Sequence, residues 1–408
     1  MQDIKELKKE LQNRLISQID LSRDIDDSEL YEQIDEMIIA ESKIRPLGLE
    51  DRMYLRRKMF DALRKLDILQ ELVDDPTVTE IMINGPDTIF VEQAGRLFRY
   101  PMQFETREKL EDVIQQIVSG CNRVVNEANP IVDARLENGS RVNIVLAPVA
   151  LNGPIVTIRR FPDKPISMND LIRFGSLGQE IADWLADLVK ARYNIFISGG
   201  TGSGKTTFLN ALSAFIPRDE RIITIEDNAE LQILDLPNLV KLETRNANVE
   251  GCREISIRDL IKSSLRMRPD RVIVGEVRGG EAFDMMQAMN TGHDGSMSTG
   301  HANSCKDMLS RLENMILMGM ELPLGAIRRQ IASGIDLVVH LGRLRDRSRR
   351  VLEITEIFDN GTDEIGINVI YKFRETGTDE SGKIIGKLEK RGELQNTDKL
   401  YAAGLRTA

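Results

Sequence analysis

A glycine-rich segment that ends in a lysine and two threonines carries the clearest chemical signal in this chain. Gly199 is followed by four residues and then by Gly204-Lys205-Thr206, which is the spacing of a phosphate-binding (Walker A) loop. Glycines allow backbone N–H groups to converge on an anion, and Lys205 would bring a positive charge to the β- and γ-phosphates of a nucleotide. The predicted nucleotide contacts are the residues of this loop: Gly199, Gly200, Thr201, Gly202, Ser203, Gly204, Lys205, Thr206 and Thr207.

Carboxylates follow two other apolar segments. IITI runs into a cluster that contains Glu226, Asp227 and Glu230, and VIVG runs into Glu276. The carboxyl ends of parallel strands line the crevice in which an α/β sheet binds its ligands. Glu276 could orient and polarise water for attack on a γ-phosphate. Glu226 and Asp227 have a simpler alternative role, which is to cap the next element.

A magnesium ion is expected to accompany the nucleotide, with the Thr206 hydroxyl as a ligand. Gly275 stands at the position where many P-loop ATPases carry a magnesium-binding aspartate. The metal is therefore predicted to rely on Thr206 and on water held by Asp227 or Glu230.

Two histidines, His293 and His301, lie in the segment TGHDGSMSTGHANS. A histidine near the γ-phosphate could donate a hydrogen bond and sense the state of the nucleotide. Capping of a loop is the alternative for each of them. His301 and Cys305 are four residues apart and could hold a metal, but further ligands are not evident. His340, within LVVHL, is predicted to be a core or edge-strand residue.

The periodicity of apolar residues divides the 408-residue chain into four predicted regions. Residues 1–70 should form a helical arm or bundle, and residues 71–165 alternate in the manner of strands, which indicates an α+β domain. Residues 166–345 alternate short apolar runs with helical patterns, as a parallel α/β domain does. Residues 346–408 are polar and strand-like, and are predicted to form a small β-rich segment.

Charge and cysteine content narrow the functional classes. Lys and Arg number 55 against 65 Asp and Glu, so the formal net charge is −10, which argues against a protein that coats nucleic acid. Cys121, Cys252 and Cys305 are scattered and odd in number, so no disulfide framework is expected. Neither a signal peptide nor a transmembrane segment is predicted. The chain is therefore expected to be cytoplasmic.

Four segments, GGTGSGKTT, IEDNAEL, RPDRVIVGEVRGGEA and TGHDGSMSTGHANS, resemble in order and spacing the Walker A, Asp box, Walker B and His box of the secretion and pilus-assembly ATPases. The likeness extends over about residues 70–355. It is strongest to the tight-adherence (Flp) pilus branch of the CpaF/TadA type, with the type IV secretion traffic ATPases as near relatives. The zinc-binding cysteine cluster of type II secretion members is absent. The resemblance implies an α/β fold in which a RecA-like P-loop domain follows an α+β (PAS-like) domain and a helical arm.

The same resemblance implies roles for particular residues. Glu276 would be the catalytic glutamate, Glu230 or Glu226 the Asp-box acid, and His301 the His-box sensor. Gly300 precedes that histidine where an apolar residue is expected. Arginines of the first domain would close on the phosphates. The candidates are Arg135 and Arg141 as nucleotide contacts and Arg159 and Arg160 as catalytic residues, and Arg266 and Arg268, just before the Walker B strand, are further candidates.

The resulting functional prediction is a homo-hexameric ATPase motor that uses ATP and Mg²⁺. It would act at the inner face of the cell membrane, on an inner-membrane platform protein of a pilus or secretion machine, without nucleic acid. Two alternatives stay open. One is a RecA-like nucleic-acid motor, against which the net charge and the single tryptophan, Trp184, weigh. The other is a nucleotide-binding scaffold without turnover.

Overall fold

A computed structural model describes residues 2–18, 25–93, 95–121, 123–160, 164–245 and 253–405. The chain divides into two compact units, Met1–Asp163 and Lys164–Ala408. The mixed α/β architecture predicted from the sequence is confirmed. No helix in the described ranges is long and apolar enough to cross a bilayer. Cys252 lies outside the described residues.

The first unit begins with helices that bury an apolar face against one another. In α1, Leu7, Leu11 and Leu15 recur every four residues, which places them on one side of the helix, and all three are buried. Tyr31 of α2 stacks on Phe60 of α3, with 4.0 Å between the ring centroids. The helices of this unit are α1 (Gln2–Gln18), α2 (Asp27–Ser42), α3 (Leu49–Arg64), α4 (Gln70–Asp74) and α5 (Arg107–Ser119), with a 3₁₀ turn at Asp67–Leu69.

The remainder of the first unit is an antiparallel sheet with the strand order β3-β2-β1-β6-β5-β4. Buried residues alternate along its inner strands, as in Ile81 and Ile83 of β1, and α5 supplies the apolar face that they pack against. Its strands are β1 (Val78–Asn84), β2 (Ile89–Gln93), β3 (Arg96–Arg99), β4 (Ile131–Arg135), β5 (Arg141–Val145) and β6 (Ile155–Arg159).

The second unit is built on a sheet with the strand order β15-β14-β13-β12-β7-β11-β10-β8-β9. The strands from β12 to β9 are parallel, and β13 to β15 continue the sheet in antiparallel fashion. The strands are β7 (Ile195–Gly199), β8 (Ile222–Glu226), β9 (Leu239–Glu243), β10 (Arg271–Val274), β11 (Met297–Gly300), β12 (Leu337–Arg343), β13 (Arg349–Asp359), β14 (Ile365–Thr378) and β15 (Ile384–Lys390).

Helices cover both faces of this parallel region. Ile195 and Ile197 of β7 belong to the apolar core on one face, and Phe196 belongs to the core on the other. A strand buried on both faces reads as a continuous apolar run, as β7 does. The helices are α6 (Met168–Arg173), α7 (Gln179–Lys190), α8 (Lys205–Ser213), α9 (Ile257–Ser264), α10 (Glu281–Asn290), α11 (Cys305–Gly319), α12 (Leu324–Gly334) and α13 (Asp398–Ala402).

Strands β13, β14 and β15 join the sheet that carries the P-loop. Strand β12 pairs with β7 on one side and with β13 on the other, so the sheet runs through the region boundary predicted at residue 345. That prediction came from a change in composition, which follows solvent exposure and not strand pairing. The four-region division as a whole stays a prediction.

A hydrogen-bonded cluster holds the amino-terminal end of β7. The buried Asn194 side chain accepts the N–H groups of Gly295 (2.8 Å) and Ser296 (3.0 Å) and donates to the carbonyl groups of Gly334 (2.8 Å) and Met289 (3.5 Å). Its own backbone N–H donates to the Asp336 carboxylate at 2.7 Å. Every polar group of this amide therefore has a partner.

Lys399, on α13, completes this cluster from the C-terminal end of the chain. Its Nζ lies 2.7 Å from an Asp336 oxygen and 2.8 Å from an Asp294 oxygen. Burial raises the pKa of Asp336, although Lys399 opposes that shift. The ammonium group thus compensates a carboxylate that would be costly to bury alone.

Candidate nucleotide-binding site

The glycine-rich loop leaves β7 at Gly199 and enters α8 at Lys205. Gly202 and Gly204 have φ of +70° and +94°, in the left-handed region where a side chain is strained. A Cβ atom at Gly199 would lie 2.5 Å from both the Leu341 carbonyl oxygen and Ser203 Oγ. The turn therefore requires glycine at these positions. It directs the amino end of a nine-residue helix, which carries a partial positive charge, at the space above the sheet.

Lys205, His301 and Glu276 form one connected chain at the carboxyl ends of β7, β11 and β10. Lys205 Nζ lies 3.3 Å from His301 Nδ1, and His301 Nε2 lies 2.8 Å from Glu276 Oε1. Because an ammonium group can only donate, Nδ1 accepts and the imidazole proton is assigned to Nε2. Nε2 faces Glu276 Oε1 at contact distance, although the pair does not have the geometry of a hydrogen bond. Burial lowers the pKa of His301, which favours this neutral form; Glu276 opposes the shift and Lys205 adds to it.

Arg278 extends this series of side-chain contacts, and its role was not predicted from the sequence. Its Nη2 and Nε lie 2.7 Å and 3.0 Å from one Glu276 oxygen, and its Nη1 lies 3.6 Å from Asp227. The guanidinium thus holds one oxygen of the proposed catalytic carboxylate and brings Asp227 towards the same place. The arginine in GEVRGG is the only signal for this residue in the sequence.

Glu226 fixes the backbone of the loop that follows β8, which contains Asp227 and Glu230. This buried carboxylate ends β8, and its Oε1 accepts the N–H groups of Glu230 (2.9 Å) and Leu231 (3.0 Å). Burial raises its pKa to about 7, although these two hydrogen bonds oppose the shift. Its Oε2 is buried without a hydrogen-bond partner among the described residues. The capping alternative predicted for Glu226 agrees with these contacts, and its catalytic assignment stays a prediction.

Two glycines of the site are explained by packing. A Cβ atom at Gly275 would lie 2.8 Å from Glu226 Cγ, so the residue that replaces the usual aspartate leaves room for the buried glutamate. A Cβ atom at Gly300 would lie 2.9 Å from Met308 Cε and 3.0 Å from Phe196 Cε1. The apolar side chain expected at position 300 would not fit, and Gly300 pairs with Ser198 in regular β-structure directly before His301.

The other histidines have structural surroundings. His293 Nδ1 lies 3.2 Å from the Ala288 carbonyl oxygen beside the end of α10, in accordance with the capping alternative. His340 is buried on β12, with Nδ1 3.2 Å from Ser198 Oγ. Cys305 is buried at the start of α11. No group of three or more His, Cys, Asp or Glu side chains within the described ranges could hold a metal ion.

Three of the predicted arginines form a row across the sheet of the first unit. Arg135 pairs directly with Arg141, and Arg141 pairs directly with Arg159, so their side chains share one face. Glu80 follows Arg159 in the same row, and burial raises the pKa of Glu80 although Arg159 opposes the shift. We call Arg135, Arg141 and Arg159 the arginine row. Asp133 lies 3.6 Å from Arg141, so the row has a carboxylate partner within its own sheet.

The remaining arginines have other settings. Arg160 donates to the backbone carbonyl groups of Asp75 and Val78, within its own unit. Arg266 and Arg268 lie between α9 and the start of β10, at the amino-terminal edge of the parallel strands. Lys205 lies at the opposite, carboxyl-terminal edge. The structure therefore separates Arg266 and Arg268 from the phosphate loop within the second unit.

The fold and the loop together define a P-loop nucleotide-binding protein of the parallel α/β class. The sequence profile described as "Type II/IV secretion system protein" matches residues 62–385. The chain is 35% identical over 306 residues to the conjugal transfer protein TrbB of Rhizobium radiobacter, covering 74% of this chain and 90% of that protein. It is 33% identical over 303 residues to the type IV secretion system protein VirB11 of Brucella suis, covering 68% and 84% respectively.

A solved structure agrees at the level of the fold. The ATPase DotB of Legionella pneumophila superposes with a TM-score of 0.50 at 21% identity, covering 72% of this chain and 81% of that one. This chain belongs to the type II/IV secretion system protein family, which confirms the family predicted from the four motifs. The particular likeness to the tight-adherence branch stays a prediction.

Proposed function

We propose that this protein is a motor ATPase that hydrolyses ATP to power pilus assembly or protein secretion. The observation that carries the proposal is the chain Lys205–His301–Glu276, in which a phosphate-binding lysine is joined to a carboxylate through one neutral imidazole. Glu276 would orient water and accept its proton during attack on the γ-phosphate, while Lys205 and the loop N–H groups hold the phosphates. Because His301 touches both groups, it would report nucleotide binding to the catalytic carboxylate.

Magnesium fits the donor set at this edge of the sheet. The Thr206 hydroxyl lies at the amino end of α8 and would hold Mg²⁺ together with the phosphates, and water held by Asp227 or Glu230 would complete the coordination. When bound, the ion would neutralise phosphate charge. Arg278 would keep Asp227 and Glu276 oriented towards it.

The arginine row is proposed as the further source of positive charge on the phosphates. Guanidinium groups make bidentate bonds to phosphate, and three adjacent ones on one sheet face could stabilise charge that develops during hydrolysis. Arg160 is proposed to position the arginine row, because its side chain joins the end of β6 to the backbone at the start of β1.

The working assembly is proposed to be a homo-hexameric ring that engages an inner-membrane platform protein from the cytoplasmic side. Support comes from family membership and from relatives that are named as conjugal transfer and type IV secretion proteins. Native mass measurement with and without a non-hydrolysable ATP analogue tests the ring. A strictly monomeric protein under both conditions would contradict it.

The decisive test of the motor is phosphate release by Glu276→Gln at saturating ATP and Mg²⁺. We expect a fall of about 100- to 1000-fold with ATP binding retained, which is the size of a general-base contribution. Glu313→Gln is a matched control, because that carboxylate is similarly buried and also pairs with an arginine, Arg328, at 2.9 Å. Unchanged turnover in Glu276→Gln would refute its catalytic role.

The same assay separates the alternatives. Wild-type protein that binds ATP without releasing phosphate would support the scaffold, and turnover stimulated many-fold by DNA would support the nucleic-acid motor. Turnover that is indifferent to DNA supports the secretion or pilus motor.

A further inference from the structure

The hairpin of β12 and β13 places two arginines beside the phosphate loop. In the parallel pairing of β12 with β7, Leu341 lies opposite Gly199, the first residue of the loop. Two residues further along, Arg343 lies directly opposite Arg349 across the hairpin. Directly opposed residues of an antiparallel pair share a face, so these side chains lie together just beyond the end of the phosphate strand.

Arg349 touches the phosphate loop itself. Its Nε donates to the Gly202 carbonyl oxygen at 2.8 Å, a contact between residues 147 positions apart. Its Cδ lies 3.5 Å from the place that a Cβ atom would take at Gly204. Nε–H is only one of five N–H donors on a guanidinium. The others make no hydrogen bond or ion pair with any residue that the structure describes.

The other contacts of the hairpin show that this pair is unusual. Arg345, at the tip, pairs with Glu375, and Arg350 donates to the carbonyl groups of Ile384 and Gly386. Across the described ranges, by contrast, no carboxylate forms an ion pair with Arg343 or Arg349. Two like charges opposite one another destabilise a hairpin unless an anion compensates them.

The tip is held in place independently of the two arginines. Asp346 accepts the N–H and hydroxyl groups of Ser348 at 3.0 Å and 2.6 Å, and it accepts the N–H of Ile384 of β15 at 2.8 Å. Preorganised donors bind an anion without a cost for ordering them. The hairpin therefore presents its arginines from a rigid base.

We propose that Arg343 and Arg349 are contacts to the phosphate chain of the bound nucleotide, so that the C-terminal hairpin forms one wall of the site. This rests on the proposed function, because the ligand is the nucleoside triphosphate held by Lys205. Arg349 fixes the Gly202–Ser203 peptide of the loop through Nε and offers its remaining donors, with those of Arg343, to phosphate oxygens.

The test is titration of the full chain with a fluorescent N-methylanthraniloyl-ATP, followed by competition with inorganic tripolyphosphate. We expect Arg349→Ala to weaken both ligands about tenfold, since a charge-assisted contact is lost, and the double variant with Arg343→Ala to weaken them further. Arg345→Ala, in the same hairpin but paired with Glu375, is the matched control and should bind within twofold of wild type.

Three results would overturn the inference. They are wild-type affinity in Arg349→Ala, an equal loss in Arg345→Ala, and a loss for the nucleotide without a loss for tripolyphosphate. Lys205→Ala separates this inference from the proposed function: if it binds normally, the phosphate site itself is wrong. If it loses binding while Arg349→Ala does not, only the hairpin's role fails. Should the alanine variant not fold, as judged by circular dichroism, Arg349→Lys replaces it; a loss of about threefold supports the contact and wild-type affinity refutes it.

Discussion

The two ends of β7 are both polar, but they differ in how completely their polar groups are paired. At the amino end, every group of the Asn194 amide has a hydrogen-bond partner, and Asp336 has Lys399. At the carboxyl-terminal edge of the sheet, Ser203 Oγ after β7, Glu226 Oε2 at the end of β8 and Glu276 Oε1 after β10 are buried without hydrogen-bond partners among the described residues. Buried polar groups without hydrogen-bond partners lower the stability of the fold, so they are expected where a ligand can supply the missing partner. The amino end, where the polar groups are paired, anchors the strand. The carboxyl end, where some are unpaired, is where the nucleotide is proposed to bind.

The strongest test of this difference replaces a lysine at each end of the strand. Lys205→Ala should lower ATP affinity about 1000-fold, because a desolvated charge on the phosphates is lost, and should leave the thermal midpoint nearly unchanged. Lys399→Ala should lower the thermal midpoint and leave ATP affinity nearly unchanged. It leaves the largely buried Asp336 carboxylate uncompensated, and Lys399 contacts no residue of the phosphate loop within the described ranges. Isothermal titration and scanning calorimetry on both variants measure the two effects. Loss of affinity in Lys399→Ala with an unchanged midpoint would contradict the division of roles.

A second prediction concerns the anchor at the amino end. Asn194→Ala would leave the N–H groups of Gly295 and Ser296 and two carbonyl groups buried and unpaired, at about 3–4 kcal/mol in total. For a unit of this size we expect a fall of about 10 °C in the thermal midpoint by scanning calorimetry. ATP affinity of the folded protein should stay within threefold. Asn360→Ala, in an exposed turn, is the control. A variant that keeps the wild-type thermal midpoint but no longer binds ATP would contradict the structural role of Asn194.

The smallest expected effect tests whether the carboxyl end costs stability at neutral pH. Burial raises the pKa of Glu226 to about 7, so the folded state keeps this proton to a higher pH than the unfolded state does. Stability should therefore fall as pH rises from about 4.5 to 7 and then level off, by about 3 kcal/mol for a shift of this size.

Glu226→Gln removes this ionisation. Thermal midpoints measured at pH 5 and pH 8 should differ less in the variant than in the wild type. Equal pH dependence in the two proteins would show that ionisation of Glu226 does not lower the stability of the fold.

The sequence predicted those parts of the site that depend on neighbouring residues. The phosphate loop needs only a strand, glycines and a lysine in succession, and these residues are local. Glu276 and His301 were each predicted, but their 2.8 Å contact depends on the order of β10 and β11 in the sheet. The family and the fold class were confirmed, while the catalytic and nucleotide-binding roles of the individual residues stay predictions.

Long-range pairing accounts for what the sequence did not predict. Arg349 reaches Gly202 and Lys399 reaches Asp336 because the C-terminal strands and α13 return to β7. Both residues lie in polar, charge-rich sequence that reads as an appended segment. The identity of Gly275 likewise depends on Glu226, 49 positions earlier, whose side chain packs over it. Such contacts follow from topology, which local periodicity does not encode.

The pairing of β12 with β13 has a practical consequence for anyone who shortens this protein. A chain cut at residue 345 would keep the whole phosphate loop but would strip β12 of its neighbour, leaving a buried apolar strand with an open row of backbone donors and acceptors. Exposed edges of this kind recruit other strands and drive aggregation. An expression fragment for biochemical work should therefore retain the chain through β15 and α13.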